Sequence, residues 1–548
     1  MTTPAHRAVD VDAVVVGAGF SGLYAVHKLR DELGLTVLGF EAGHDVGGTW
    51  YWNRYPGARC DSESYVYCYS FSDELLDDWT WSSKYPEQPE ILAYLQHVAA
   101  RFDLRRSFRF STQVERADHD AEANAWTVRT NTGDLVRARY LVTAVGIFAS
   151  APYTPHLPGL EAFEGEQHHT GRWPTEPVEL AGKRVGIIGT GSTGVQAIPR
   201  LAADAEHLYV FQRTPQFTVP ARHRAATPEF QTWLRGNYAD VWASARASVG
   251  GFPWQHNGQS VFDVAPAERE ATLERLWEEG GFKFVFGSYK DALTERRAND
   301  LIAEFVRRKI RRLVRDPVTA ERLLPVDFPF GARRPIIDTD YFETFNRDNV
   351  TLVDVRETPI ERVTARGIET STDAFELDVL VFATGFDAIT GPFFRMDVRG
   401  TDGVRLQEAW AEGPASYLGL SSCGFPNLFM IVGPGSMFGN YPVVMEHHVD
   451  WIGDCIGHME QSGLVRVQAS AAAQAEWMAE LDAQAELSLV WLADSWFTSA
   501  NIPGKPKGST LFFGSYGSYR RRLDQIAEDG YPGFEFELGP ALPEDVSA

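Results

Sequence analysis

The apolar positions of this chain gather in short runs that stop at glycine turns. Val11–Val16 is mostly apolar and ends at Gly17. A run of that length bounded by a turn predicts a strand buried in a parallel sheet. Leu23, Val26 and Leu29 then recur at helical spacing, and a second strand is expected over 35–40, ending in Glu41. The same succession returns at Val185-Gly186-Ile187-Ile188, followed by a glycine turn and the run Leu208-Tyr209-Val210-Phe211. Further buried strands are expected within 136–146, 377–387 and 425–435. From about Ala225 to Leu324 the period becomes helical, with Ile302, Phe305, Val306, Ile310 and Leu313 forming an apolar stripe.

The turns joining these elements carry the chemistry. Gly17-Ala18-Gly19-Phe20-Ser21-Gly22 and Gly189-Thr190-Gly191-Ser192-Thr193-Gly194 each link a strand to a helix. Glycines there let the backbone turn tightly and approach a pyrophosphate at the positive end of the helix. Glu41 lies roughly 20 residues beyond the first turn, where an acid grips a ribose hydroxyl. In the second unit Arg213, followed by Thr214, stands where the first has Glu41. A carboxylate suits a free 2′-hydroxyl and an arginine suits a 2′-phosphate. The second dinucleotide is therefore expected to be NADPH rather than NADH. The fold class expected is α/β, with two Rossmann-like dinucleotide-binding domains and a helical insertion in the second.

Bulk properties narrow the partners. A chain of 548 residues predicts two or three domains. Its net charge of −23 is unsuited to nucleic acid or an anionic membrane. One basic run, Arg307, Arg308, Lys309, Arg311 and Arg312, interleaves with the apolar stripe and is expected to be a solvated face. The four cysteines, Cys60, Cys68, Cys423 and Cys455, include no C-x-x-C pair, so a disulfide framework, a metal site and a dithiol redox centre are not expected. No run approaches the roughly 20 apolar residues of a membrane span, and no signal-peptide pattern opens the chain. These features predict a soluble, cytoplasmic protein.

Three further stretches carry a family resemblance. Phe163, Gly165, His169, Trp173 and Pro174 fit the pattern F-x-G-x-x-x-H-x-x-x-W-P. Gly47-Gly48-Thr49-Trp50-Tyr51-Trp52-Asn53-Arg54-Tyr55-Pro56-Gly57-Ala58-Arg59-Cys60-Asp61 fits a second pattern, G-G-x-W-x-x-x-x-Y-P-G-x-x-x-D. Gly331-Ala332-Arg333-Arg334-Pro335 follows the helical region. Together they resemble the Baeyer–Villiger monooxygenases, flavoenzymes that insert one oxygen atom of O2 beside a ketone carbonyl. The glycine pair after Glu41 also resembles the FAD-binding class of two-dinucleotide flavoproteins.

The resemblance implies FAD at the first turn, with Gly48, Thr49 and Trp50 beside it, and NADPH/NADP+ at the second. It implies that Arg334 is catalytic and held by Asp61, and that Arg333 touches the 2′-phosphate, where the family commonly has lysine. A flavin C4a-peroxide would attack the ketone to give a tetrahedral (Criegee) adduct, and a guanidinium can face both anions. His169 is assigned a positional role. Ala383-Thr384-Gly385 resembles the segment returning from the NADP domain to the FAD domain. Trp496 lies in a segment like the family's mobile loop over NADP. Met437, Phe438, Gly439 and Tyr441 are candidates for the ketone pocket, on a loop whose length suits small cyclic or aliphatic ketones.

The domain plan implied is an FAD-binding first part over 1–148, an NADP-binding first part over 149–224 and a helical insertion over 225–330. The NADP-binding second part then covers 331–384, and the FAD-binding second part covers 385–548, with the mobile loop and an acidic tail from Pro540 to Ala548. The expected partners are O2 and a small ketone, without nucleic acid or membrane, in a monomer or weak homo-oligomer. The rival readings are a flavin-containing monooxygenase oxidising nitrogen or sulfur, and a non-catalytic FAD/NADP-binding redox sensor.

Overall fold

Val11–Val16 is the centre of the first sheet, paired in parallel with Val37–Phe40 on one side and Leu135–Thr143 on the other. Its side chains from Ala13 to Val16, the wholly apolar part, are buried, as a central strand covered on both faces requires. A computed structural model describes residues 9–148 and 151–539. The tail expected from Pro540 to Ala548 lies outside the described residues. Leu135–Thr143 changes partner along its length. Residues 135–138 pair antiparallel with Ala125–Thr130, and residues 141–143 pair in parallel with Leu428–Met430. Val114–Asp120 pairs antiparallel with Ala125–Thr130, Asp397–Arg399 joins it in parallel at that edge, and Phe108–Arg109 closes the other edge. Two strands from the last third of the chain thus complete a sheet begun at residue 11.

The second sheet is wholly parallel. Its order is Val350–Asp354, His207–Gln212, Arg184–Ile188, Val379–Phe382 and Glu166–His169. The last strand comes from the F-x-G-x-x-x-H stretch, which showed no strand pattern in sequence. It is an edge strand with two exposed and two half-buried residues, so it needs no apolar run.

Five helices lie between residues 228 and 322, from Pro228–Ala247 to Pro317–Arg322. They share a core with the second sheet, and Ile302, Phe305, Val306 and Ile310 are buried in it. Each such side chain contributes about 1.5–3 kcal/mol. On the other face of Arg296–Leu313 the basic run meets acids: Arg308 pairs with Glu270, Lys309 with Glu274, and Arg311 with Glu304 and Glu321.

The chain passes between the sheets twice, and the two passages run side by side. Tyr153 N–H donates to Gly385 O at 2.9 Å and Asp387 N–H to Ala151 O at 2.8 Å. Among the described residues no helix is long and apolar enough to cross a membrane.

Candidate active site between two glycine turns

The two turns have the same geometry. Gly17 and Gly189 both sit at φ +108°, where a side chain is strained, and a Cβ would come within 2.5 Å of Ala144 O and 2.4 Å of Ala383 O respectively. The third glycines pack tightly instead of facing outward: a Cβ on Gly22 or Gly194 would strike the carbonyl of Gly17 or Gly189. Each turn opens a helix, Phe20–Val26 or Ser192–Asp204.

Both turns open into one cavity of about 1320 Å³. The cavity reaches Glu41, Gly48, Thr49, Trp50 and Asp61 from the first unit, and Arg213, Thr214, Arg333 and Arg334 from the second. Thr190, Ser192, Thr193, Ala383, Thr384, Gly385, Phe438, Gly439, Tyr441 and Trp496 also line it. The bare glycine edges and the paired helix N-termini fit two pyrophosphates. Glu41 accepts the N–H groups of Ala18 and Gly43, each at 2.7 Å, so it also stitches the first turn to the following loop.

Arg213 ends its strand in the open, and Arg333 faces it across the cavity with its guanidinium 4.7 Å from the Phe328 ring centroid. Burial, then the facing charge of Arg213, holds Arg333 below the usual arginine range. Two cations held together in this way fit a dianionic phosphate.

At the centre, Arg334 Nη1 lies 2.8 Å from Asp61 Oδ2. Arg334 also donates to Ser192 Oγ at 3.2 Å, and its guanidinium lies 5.5 Å from the Phe282 ring centroid. Burial pushes the Asp61 carboxyl up, while Arg334 and Gln196 draw it back. A permanent cation is thereby fixed in the cavity between the two turns.

Several positions differ from expectation. Met437 does not line the cavity; it is buried in the core beside Phe512, because the loop turns its neighbour Phe438 toward the opening instead. Tyr441 does line it, and its hydroxyl is bonded to Ser21 Oγ of the first turn at 2.9 Å. Phe163, Gly165, Trp173 and Pro174 stay outside the lining. Phe163 packs under the second sheet and Trp173 joins the core of the helical insertion. From the same stretch, Arg172 does reach the cavity, with its guanidinium 4.4 Å from the Trp52 ring centroid.

His169 ends the edge strand beside the chain passages. Its Nδ1 accepts Gly171 N–H at 2.9 Å, leaving Nε2–H to donate to Tyr153 O at 3.1 Å. Partial burial pushes its pKa down. Both ring nitrogens are thus engaged by backbone groups, and the imidazole lies outside the cavity lining.

The loop carrying Trp496 contributes Ser495, Trp496, Ala500, Asn501 and Pro503 to the lining. Trp496 makes edge contacts with Phe438 at 4.8 Å and Phe148 at 5.0 Å. Asn501 donates to Phe386 O at 3.0 Å, and Lys505 pairs with Asp387 on the returning passage.

Comparison with known proteins gives the family. The model of flavin-binding monooxygenase-like proteins matches residues 11–228. A Baeyer–Villiger monooxygenase of Pseudooceanicola batsensis is 45% identical over 524 residues, 95% of each chain. The chain belongs to the Baeyer–Villiger monooxygenases. Among relatives of that family's fold, phenazine N-monooxygenase of Lysobacter antibioticus is 42% identical, covering 97% of this chain and 98% of its own. The crystal structure of cyclohexanone monooxygenase from Rhodococcus sp. Phi1 bound to NADP+ superposes with a TM-score of 0.94 at 45% identity. It covers 96% of this chain and 99% of that one. As in other Baeyer–Villiger monooxygenases, the α/β architecture has two Rossmann-like cores, and the cavity described above lies between them.

The sequence did not single out Gln196, Arg172 or Lys505. Gln196 had a usable signal, since it lies one helical turn beyond Ser192 and therefore shares its face.

Proposed function

We propose that this protein uses NADPH and O2 to convert a ketone to an ester or lactone. The observation that carries this reading is the Arg334–Asp61 pair, held at 2.8 Å in the cavity onto which both glycine turns open. FAD, when bound, supplies the redox chemistry: NADPH gives two electrons, one oxygen atom of O2 enters the ketone, and the other leaves as water. The first turn with Glu41, Gly48, Thr49 and Trp50 would hold FAD. The second turn with Arg213, Thr214 and Arg333 would hold NADPH and its 2′-phosphate, and Ala383–Gly385 would back it.

Arg334 supplies the positive charge that an oxygen anion beside the carbonyl needs, without having to take up or lose a proton. Asp61 aims that charge and moderates it. Phe438 and Gly439 offer an apolar wall for a small cyclic or aliphatic ketone. Tyr441 is reassigned to the FAD side on its bond to Ser21. Trp496 and its loop exclude water.

The same reading keeps the domain plan: 1–148 with 385–548 for FAD, 149–224 with 331–384 for NADP, and 225–330 as the insertion. It takes the protein as a monomer or weak homo-oligomer acting in the cytoplasm.

The test is NADPH consumption under air with cyclic, linear and aryl ketones, and with an aromatic N-heterocycle arm because of the phenazine N-monooxygenase likeness. Product and hydrogen peroxide are measured together. A ketone that speeds turnover, suppresses peroxide and yields an ester one oxygen heavier is expected. Oxidation of the ring nitrogen with no ester or lactone from any ketone would overturn the assignment.

A further inference from the structure

Gln196 stands on Ser192–Asp204, the helix that opens at the second turn, yet every partner of its amide belongs to the segment carrying Asp61. Its Oε1 accepts from Tyr55 OH at 2.8 Å and from Arg59 N–H at 3.3 Å. Its Nε2 donates to Arg59 O at 3.2 Å and to Asp61 Oδ1 at 2.8 Å. Two donors and two acceptors are the full capacity of a primary amide. Turning the amide over would set its oxygen against a carboxylate and a carbonyl, so one orientation is dictated.

Position along the helix extends the pattern. Ser192, four residues earlier, accepts from Arg334 at 3.2 Å. Arg200, four residues later, pairs with Glu87 at 3.0 Å, and Glu87 in turn holds Arg59 at 2.6 Å. One helix face therefore touches both members of the Arg334–Asp61 pair and the strut behind them. The fit is close: a Cβ on Gly57 would lie 2.4 Å from Gln196 O.

We propose that Gln196 is a positioning residue that fixes the Asp61 carboxylate against Arg334 and makes the pair depend on the seating of the second nucleotide's helix. The proposal rests on the reading of Arg334 as catalytic. Asp61 is faced by Arg334 from the 331–335 loop, by Tyr55 and Cys60 from its own segment, and by Tyr85. Of these only Arg334 is cationic; Gln196, ahead of the Ile337 backbone N–H, is the neutral donor that most favours a charged carboxylate there. Without its N–H, Asp61 would hold its proton to higher pH, and Arg334 would meet a neutral partner free to turn.

The test is Q196M, of similar length and with no amide, as the FAD-loaded enzyme. The first readout needs no turnover: the pH titration of oxidised flavin absorbance, with D61N identifying the step due to Asp61. Losing a hydrogen bond to a charged group should raise that midpoint by about one to two pH units. The second readout is the NADP+ dissociation constant, expected to rise several-fold. Y55F removes one of the amide's four bonds, loosening its hold on Asp61, and should move the midpoint the same way by less. An unmoved midpoint in folded Q196M overturns the proposal; should Q196M fail to fold, Y55F decides it by the same criterion. R334M forms the separate arm. If it makes ester at the parent rate, the catalytic reading fails; if it does not and Q196M leaves the midpoint unchanged, only the role of Gln196 fails.

Discussion

Replacing Arg334 by methionine removes the cation and keeps most of the side chain's bulk. Asp61 is then left with a side chain only 3% exposed and Gln196 as its remaining side-chain donor. Removing one partner of a buried pair costs about 3–5 kcal/mol if the other stays charged. The carboxyl can avoid that cost by taking up a proton, which fixes the sign of the pH dependence. Burial already raises Asp61 above its ordinary value of 3.8, and losing Arg334 raises it further. A raised carboxyl contributes stability below the unfolded value and loses it as pH climbs through the folded value. The gap between R334M and the parent should therefore widen as pH is raised, followed over an assay range of about pH 5 to 8.5.

For a chain of this length the full gap is about 3–4 °C in the unfolding midpoint. The assay is thermal unfolding of the FAD-loaded protein across that pH range, with D61N/R334M alongside. The double variant carries no unpaired charge and should close most of the gap at high pH. Ester formation in R334M should fall by about 10²–10³-fold. An R334M midpoint that tracks the parent at every pH would refute the buried-pair argument, whatever the activity.

Other perturbations follow from the same geometry. Arg213→Ala should raise the KM for NADPH by about 10-fold or more, since one charged phosphate contact is lost; NADH should be nearly unaffected, and equal losses would remove the phosphate role. Trp496→Ala deletes edge contacts to Phe438 and Phe148, each worth about 0.5–1.5 kcal/mol; it should weaken NADP+ retention and raise the peroxide released per NADPH, both read by fluorescence and a peroxide assay. His448, buried between Val432 N–H and Tyr519 OH, is pushed down to about 3 by burial and the nearby His447. Its depressed value means stability present above about pH 6.5 is lost as pH falls toward 3, about 2 kcal/mol by pH 5; His448→Gln should flatten that slope in urea titrations.

What the sequence revealed divides by the range of the physics. Glycine turns are local: a Cβ on Gly22 would strike the carbonyl of Gly17 five residues earlier, and the strand, turn and helix signals lie within one window. Arg213 and Glu41 were legible because strand ends place them at fixed distances from those turns. Asp61 and Arg334 came through motif resemblance, and the structure sets them together. The edge strand Glu166–His169 was hidden because a half-solvated edge carries no apolar period. Met437 and Phe438 were indistinguishable by composition, and only the loop's path decided which faced the cavity. Tyr441 and Gln196 depend on partners hundreds of residues or a whole unit away, which no local pattern reports.

The interleaved first sheet has a consequence for how the protein is made. Thr143 and its partner on Leu428–Met430 are 286 positions apart. At about 5–20 residues per second, a ribosome takes about 15–60 s to supply the missing strand. Through that interval residues 141–143 present an unpaired parallel edge, the kind of surface that recruits strands from other chains. The second sheet, whose strands all fall between residues 166 and 382, can close before the first is complete. Birth order therefore runs opposite to chain order. Slowing translation within 383–427 should lower soluble yield more than slowing it after residue 430.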